Sequence, residues 1–199
     1  SKPEGQDGAE ILDASSMQEI IPEDEEDVSY FVVTLRKARP DSPCGWRLDP
    51  TDKKVLYICD LSNDPSAPVQ VHNARSTPGR QLREGDYIVA VNGVSGAAQA
   101  LQAVLKSSTV LEVSIFRPKP FKVVLSTESQ PTGLDLRYAP NGKTLVIENL
   151  RAGAALESNA DLRPRDRILS VCGITGGSEV LLQSFRDNTN IELMIVRPM

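Results

Sequence analysis

Groups able to do covalent or acid–base chemistry are sparse in this chain of 199 residues. Its one histidine, His72, lies in a stretch that reads as a loop, with no cysteine pair nearby. Neither a zinc site nor a histidine-activated nucleophile takes shape around it. No serine sits in a Gly-x-Ser-x-Gly elbow, and no glycine-rich phosphate loop ends in Gly-Lys-Ser/Thr. Cys44, Cys59 and Cys172 are odd in number and far apart, which argues against a disulfide framework and for a reducing compartment. Paired acids occur mainly in the first 29 residues, a stretch not expected to be buried, so their pKa values have little reason to move. The expectation is a protein that is not an enzyme and takes no metal and no cofactor.

Charge divides the chain unevenly. Residues 1–29 hold ten acidic groups against Lys2 alone, a net of −9, while the other 170 carry 21 basic and 17 acidic groups, a net of +4. The acidic pI of the whole therefore describes the leading segment. An excess of only four positive charges behind an acidic arm does not suit nucleic acid. No apolar run approaches the roughly 20 residues of a membrane-spanning helix. The N-terminal Ser-Lys-Pro-Glu-Gly lacks the apolar core of a signal peptide, and the missing initiator Met suggests a processed or excised chain. The expected location is intracellular, soluble or peripheral, with an organelle as the alternative if a targeting peptide was removed.

The elements that would position any site come as a repeat. Tyr87-Ile88-Val89-Ala90-Val91-Asn92-Gly93-Val94 aligns with Arg167-Ile168-Leu169-Ser170-Val171-Cys172-Gly173-Ile174, and the offset of 80 holds to Phe116-Arg117-Pro118 and Val196-Arg197-Pro198. Upstream, Gly45-Trp46-Arg47-Leu48 matches Gly133-Leu134-Asp135-Leu136, and Val55–Leu61 matches Thr144–Leu150. One unit spans 30–118, the other 119–199, behind a tail over 1–29. Each predicts an opening strand, a Pro- and Gly-containing loop, a short strand, a turn, further strands, one helix and a closing strand. The helices fall at about Ala97–Lys106 and Ser178–Phe185, with Ser178 as N-cap. Residues 62–81 read as a surface loop by composition. The fold class is mainly β with α: a small, partly open barrel or sandwich of five to six strands capped by one to two helices, repeated in tandem. Separate cores are expected, around Ile88, Val91, Val113 and Ile115, and around Ile168, Val171, Leu193 and Ile195. Arg117-Pro118-Lys119-Pro120 makes a short, stiff junction.

At this point the chain resembles the PDZ domain family, in tandem. Gly85-Asp86-Tyr87-Ile88-Val89-Ala90-Val91-Asn92-Gly93 is similar to that family's Gly-Asp-x-Ile-Leu-x-Val-Asn-Gly segment. The second unit keeps the Asp and the last Gly but has Arg165 for the first Gly and Cys172 for Asn. Pro43-Cys44-Gly45-Trp46 and Pro131-Thr132-Gly133-Leu134 are similar to its Gly-Leu-Gly-Phe loop.

The resemblance implies recognition of protein or peptide partners, through chain ends or extended segments added as a strand beside Trp46–Asp49 or Leu134–Tyr138. Backbone N–H groups of Cys44, Gly45 and Trp46 would converge on a terminal carboxylate, with Arg36, Lys37 and Arg39 adding charge. Trp46, Arg47, Leu48, Ala98, Gln102 and Leu105 would line the first groove. Thr132, Gly133, Leu134, Leu136, Ser178, Leu182 and Phe185 would line the second. The first helix position, where many family members place a His, holds Ala98 or Ser178. The same apolar residues would be buried whether or not a peptide binds. The alternative function is therefore a structural accessory subunit of a larger assembly, docking through folds and tail with idle grooves.

For the tail two readings stay open: a solvated leader, or an arm that docks on basic surface. Ser16-Met17-Gln18-Glu19 has capping-box spacing, and Ile11, Leu12, Met17, Ile20 and Ile21 supply apolar contacts. The second reading has Ile11–Ile21 ordering on a protein surface.

Overall fold

A computed structural model describes residues 29–158 and 160–199; the expectations for the tail's capping box and apolar run lie outside the described residues. Period-two alternation builds the first unit. In β1 (Tyr30–Arg36), Phe31, Val33 and Leu35 turn inward, while Val32, Thr34 and Arg36 turn out. There follow β2 (Trp46–Asp49), β3 (Leu56–Leu61), α1 (Pro68–Asn73), β4 (Tyr87–Val91), β5 (Val94–Ser95), α2 (Ala98–Ser107) and β6 (Val110–Phe116). The second unit has β7 (Phe121–Ser126), β8 (Leu134–Arg137), β9 (Leu145–Leu150), α3 (Ala154–Glu157), β10 (Arg167–Val171), α4 (Ser178–Asp187) and β11 (Asn190–Val196).

All pairs are antiparallel. The first sheet runs β1-β6-β4-β3-β2, with β5 on β4, and the second β7-β11-β10-β9-β8. Both stay open and neither closes into a barrel. Their irregularities repeat as well: register shifts at Arg47/Leu48 and Ile88/Ala90 recur at Asp135/Leu136 and Ile168/Ser170. Ile88, Val91, Val113 and Ile115 are fully buried in one core, and Ile168, Val171, Leu193 and Ile195 in the other. Each such side chain contributes about 1.5–3 kcal/mol.

The Asp of the repeated motif has a structural task in both units. Asp86 receives two hydrogen bonds from Arg117, at 2.8 and 2.9 Å, and Asp166 receives two from Arg197, at 2.7 and 2.9 Å. The same guanidinium groups stack over Phe31 and Phe121. Each fork ties the end of the closing strand back to the loop before β4 or β10.

Two local expectations are corrected. Within 62–81 the chain forms α1 and a 3₁₀ turn at Pro78–Arg80, so His72 is helical. Pro68 stands at the first helical position, where its missing N–H costs nothing, and Val69 reaches the core. One buried residue in six leaves no period to read. Ser178 is the first helical residue of α4 rather than its cap, which is Gly177. Its hydroxyl donates instead to the Gly142 carbonyl at 2.9 Å.

A third buried cluster joins the units. Val55, Tyr57 and Tyr87 meet Val196, with Val89, Phe116 and Leu169 at the margin. Arg167 is fully buried among them. Its Nη1 donates to Asp49 at 2.6 Å and to Thr144 at 2.6 Å, and its guanidinium lies 4.2 Å from the Tyr57 ring centre and 5.9 Å from that of Tyr87. Burial pushes the Tyr57 phenol up to about 12 and raises that of Tyr87, so the cation faces neutral rings. Arg165 contributes a bond to Asp52 at 3.0 Å, and Lys143 one to Asp60 at 2.7 Å. Arg165, where the motif has Gly85, keeps the positive φ of that turn. Arg165, which departs from the motif, and Arg167, at a position the motif leaves open, hold the second unit against the first. Among the described residues no helix is long and apolar enough to cross a membrane.

Candidate functional site

Strand β2 is one end of the first sheet: it pairs with β3 and leaves its other edge without a strand. Beside that edge runs α2, and between them lies a cavity of about 380 Å³. Cys44, Trp46, Arg47, Leu48, Gln102 and Leu105 line it. Of the residues expected there, Trp46, Leu48 and Gln102 are half-buried and Leu105 is 8% exposed, with Trp46 and Leu48 resting on the core below. Ala98 is absent from the lining: it is 3% exposed and faces the core.

The loop entering β2 is built by Gly45. Its φ is +94°, and a Cβ there would stand 2.5 Å from the Ala67 side chain. The Cys44 carbonyl accepts from Val69 N at 3.0 Å and the Gly45 carbonyl from Ser62 N at 2.8 Å. Both carbonyls are thus spent toward α1 and β3, while the N–H groups of Cys44 and Gly45 donate to no other described residue. The Cys44 side chain is buried, and burial raises its thiol's pKa.

The three cations expected to support a carboxylate differ in their engagement. Lys37 is 7% exposed, and its Nζ donates to the carbonyls of Pro40 and Leu105, pinning the loop to the last turn of α2. Arg39 is exposed and lies 3.6 Å from Asp41. Arg36 is exposed and shares the lining of a cavity of about 770 Å³ with Lys37, Gly45, Trp46 and Arg47, and it also enters a smaller cavity between β1 and α1. Arg47 turns sideways to Asp60, which Lys143 of the second unit also holds. Those two bonds, Lys143 first, keep the Asp60 carboxyl below its ordinary range.

In the second unit β8 is likewise a sheet end. Leu134, Leu136, Leu182 and Phe185 are half-buried on the second core. Gly133 repeats the device of Gly45, with φ +73° and a Cβ position 2.5 Å from the Arg151 carbonyl. The Thr132 carbonyl accepts from Ala155 N at 3.0 Å, and Thr132 Oγ1 from Leu134 N at 3.4 Å. That last bond uses a donor which stays free of side-chain partners at Trp46. The Ser178 hydroxyl is spent on Gly142, so it is not turned to the groove. Among the described residues no group of three or more His, Cys, Asp or Glu is placed to hold a metal ion.

The inter-unit residues Arg165 and Arg167 escaped the sequence reading. A signal was present: position 167 aligns with Tyr87, an inward strand position where a cation needs a partner.

No family model matches the chain, and no curated protein matches it. Solved structures do. INAD PDZ45 in complex with an NG2 peptide is 19% identical, with 85% of this chain and 89% of that one covered and a TM-score of 0.36. INAD PDZ45 with NORPA CC-PBM is 17% identical, covering 85% and 91%, with a TM-score of 0.38. Dlg1 PDZ2 of the choanoflagellate Monosiga brevicollis is 22% identical, covering 39% and 90%, with a TM-score of 0.34. Across its two sheets the chain resembles PDZ domains in tandem.

Proposed function

We propose that the chain is a protein-interaction module whose first unit takes the C-terminal or extended segment of a partner as an added strand on β2. The observation that carries the reading is the conjunction at one sheet end. An unpaired strand edge, a cavity of about 380 Å³ against α2 and two backbone donors without partners lie side by side. A strand edge supplies affinity without regard to sequence, and the cavity selects a side chain. Trp46, Leu48 and Leu105 would hold the last apolar residue of the ligand, with Gln102 and Arg47 at the rim. The carboxylate would rest on Cys44 and Gly45 N–H, with little help from Lys37, whose ammonium is engaged. Leu134, Leu136, Leu182 and Phe185 offer the second unit an equivalent but less donor-rich place.

Trp46 is the only tryptophan and lies in the groove, so its fluorescence reports occupancy. Pentapeptides ending in Val, Leu, Ile or Phe should give saturable changes. Amidating the terminus should weaken binding roughly ten- to a hundredfold, since charge-assisted bonds contribute about 1.5–3 kcal/mol. Failure of every apolar-ended peptide to alter the emission would sink the reading.

A further inference from the structure

On the face of the first unit away from the groove, a cavity of about 440 Å³ lies between β1 and α1. Thr34 and Arg36 enter it from the outward face of β1, and Val71, His72 and Arg75 from α1 and the residues just after it. Pro68 and Ser66 close the side, and no carboxylate is among the lining residues. Most other arginines of the folded part are paired, among them Arg39, Arg47, Arg137, Arg151, Arg163, Arg165, Arg167 and Arg197. Arg36 and Arg75 have no ion-pair partner among the described residues, and they converge on this one concavity. The His72 ring adds Nε2, held 3.0 Å from Ser76 Oγ and 3.3 Å from the Arg80 carbonyl.

We infer that this cavity is a second ligand site, taking a phosphate monoester carried on a peptide side chain. Two planar guanidinium forks and the Thr34 hydroxyl are the donors that a doubly charged, three-oxygen acceptor needs. Val71 and Pro68 give the opposite wall an apolar character suited to the ring that carries the ester. Two carboxylates stand near without lining the cavity: Asp64, which accepts from Ser66 Oγ at 2.7 Å, and Glu112, cross-strand from Thr34. They repel any anion, so the ligand must be held at contact distance by both guanidinium groups, which three phosphate oxygens can engage together. A recessed cavity of this size accommodates a side chain, whereas a membrane surface calls for a broad, flat basic face. The site shares no lining residue with the β2–α2 groove, so it stands or falls independently of it.

The test uses the full chain and an acetylated, amidated Gly-phosphotyrosine-Gly peptide, followed by calorimetry and by amide and side-chain NMR. Saturable binding that shifts Thr34, Arg36, Val71, His72 and Arg75 is expected, with no binding of the unphosphorylated peptide. Arg36→Gln and Arg75→Gln should each weaken it about tenfold, the loss for one charge-assisted contact, at unchanged melting temperature. Both side chains are exposed, so the variants should fold. Absence of saturable binding overturns the proposal, as does equal affinity in the double variant. Inorganic phosphate binding as tightly as the phosphopeptide would reduce the site to an unselective anion hole. Vesicles bearing phosphorylated inositol headgroups that bind where the phosphopeptide does not would assign the cavity to a lipid and refute the peptide reading.

Discussion

Arg167 is the residue on which most forces meet. A fully buried guanidinium is costly unless charge and hydrogen bonds offset it; Asp49 and Thr144 engage its Nη1 and the Tyr57 ring faces it, while Nε and Nη2 have no hydrogen-bond partner among the described residues. Removing it leaves Asp49 buried without its cation. Arg167→Leu should therefore cost about 3–5 kcal/mol in urea unfolding, and adding Asp49→Asn should recover part of the loss. An Arg167→Leu chain as stable as its parent would show the pair to be incidental. Acid provides a second view of the same contact. Burial alone would raise the Asp49 carboxyl, but the Arg167 charge and the bonds from Thr51 and Arg167 outweigh it, and the net shift is below 3.8. A depressed carboxylate stabilises fully above its unfolded pKa and loses that contribution as pH falls through the folded one. Stability of the parent should thus decline below about pH 4, and less steeply in Asp49→Asn/Arg167→Leu.

At the scale of elements, strands were legible and side-chain direction only partly so. Period-two alternation marks β1, β6 and β11 because one face of each is buried, and a slip by one residue would invert them, whereas β4 and β10 were legible through the repeated motif. The helix α1 was hidden because it rests on Pro68 and one buried valine. Arg36 was expected to lend charge to the loop from its position along the chain, whereas its place on the outward face of β1, which puts it in the β1–α1 cavity as well, was not visible there. Ser178 reads as a cap from its neighbours, yet the tertiary contact with Gly142 claims its hydroxyl. The start of α2 carries a prediction for specificity. Ala98 is buried and offers no acceptor, so the first unit should show no strong preference for Ser or Thr two residues before the ligand's end. Apolar residues there should bind better on a peptide array. A dominant Ser/Thr requirement would contradict the placement of Ala98.

For the whole molecule, the face that joins the units has a property beyond adhesion. Its residues are repeat equivalents of one another: Val55 corresponds to Thr144, Gly85 to Arg165, Tyr87 to Arg167, Val89 to Leu169 and Phe116 to Val196. The same patch of each unit therefore meets its counterpart, as in a two-fold dimer whose halves have been fused and then diverged. Residues 29–118 alone would present Val55, Tyr57 and Tyr87 to solvent, a self-complementary apolar patch. That fragment should self-associate in sedimentation experiments. Residues 119–199 alone would oppose Arg167 to Arg167 and should stay monomeric. Monomers in both cases, each folded by circular dichroism, would refute the correspondence. A pseudo-symmetric contact also closes on itself. Once the two units have met, neither keeps a copy of that patch for a third, so further units cannot stack on this tandem by the same means.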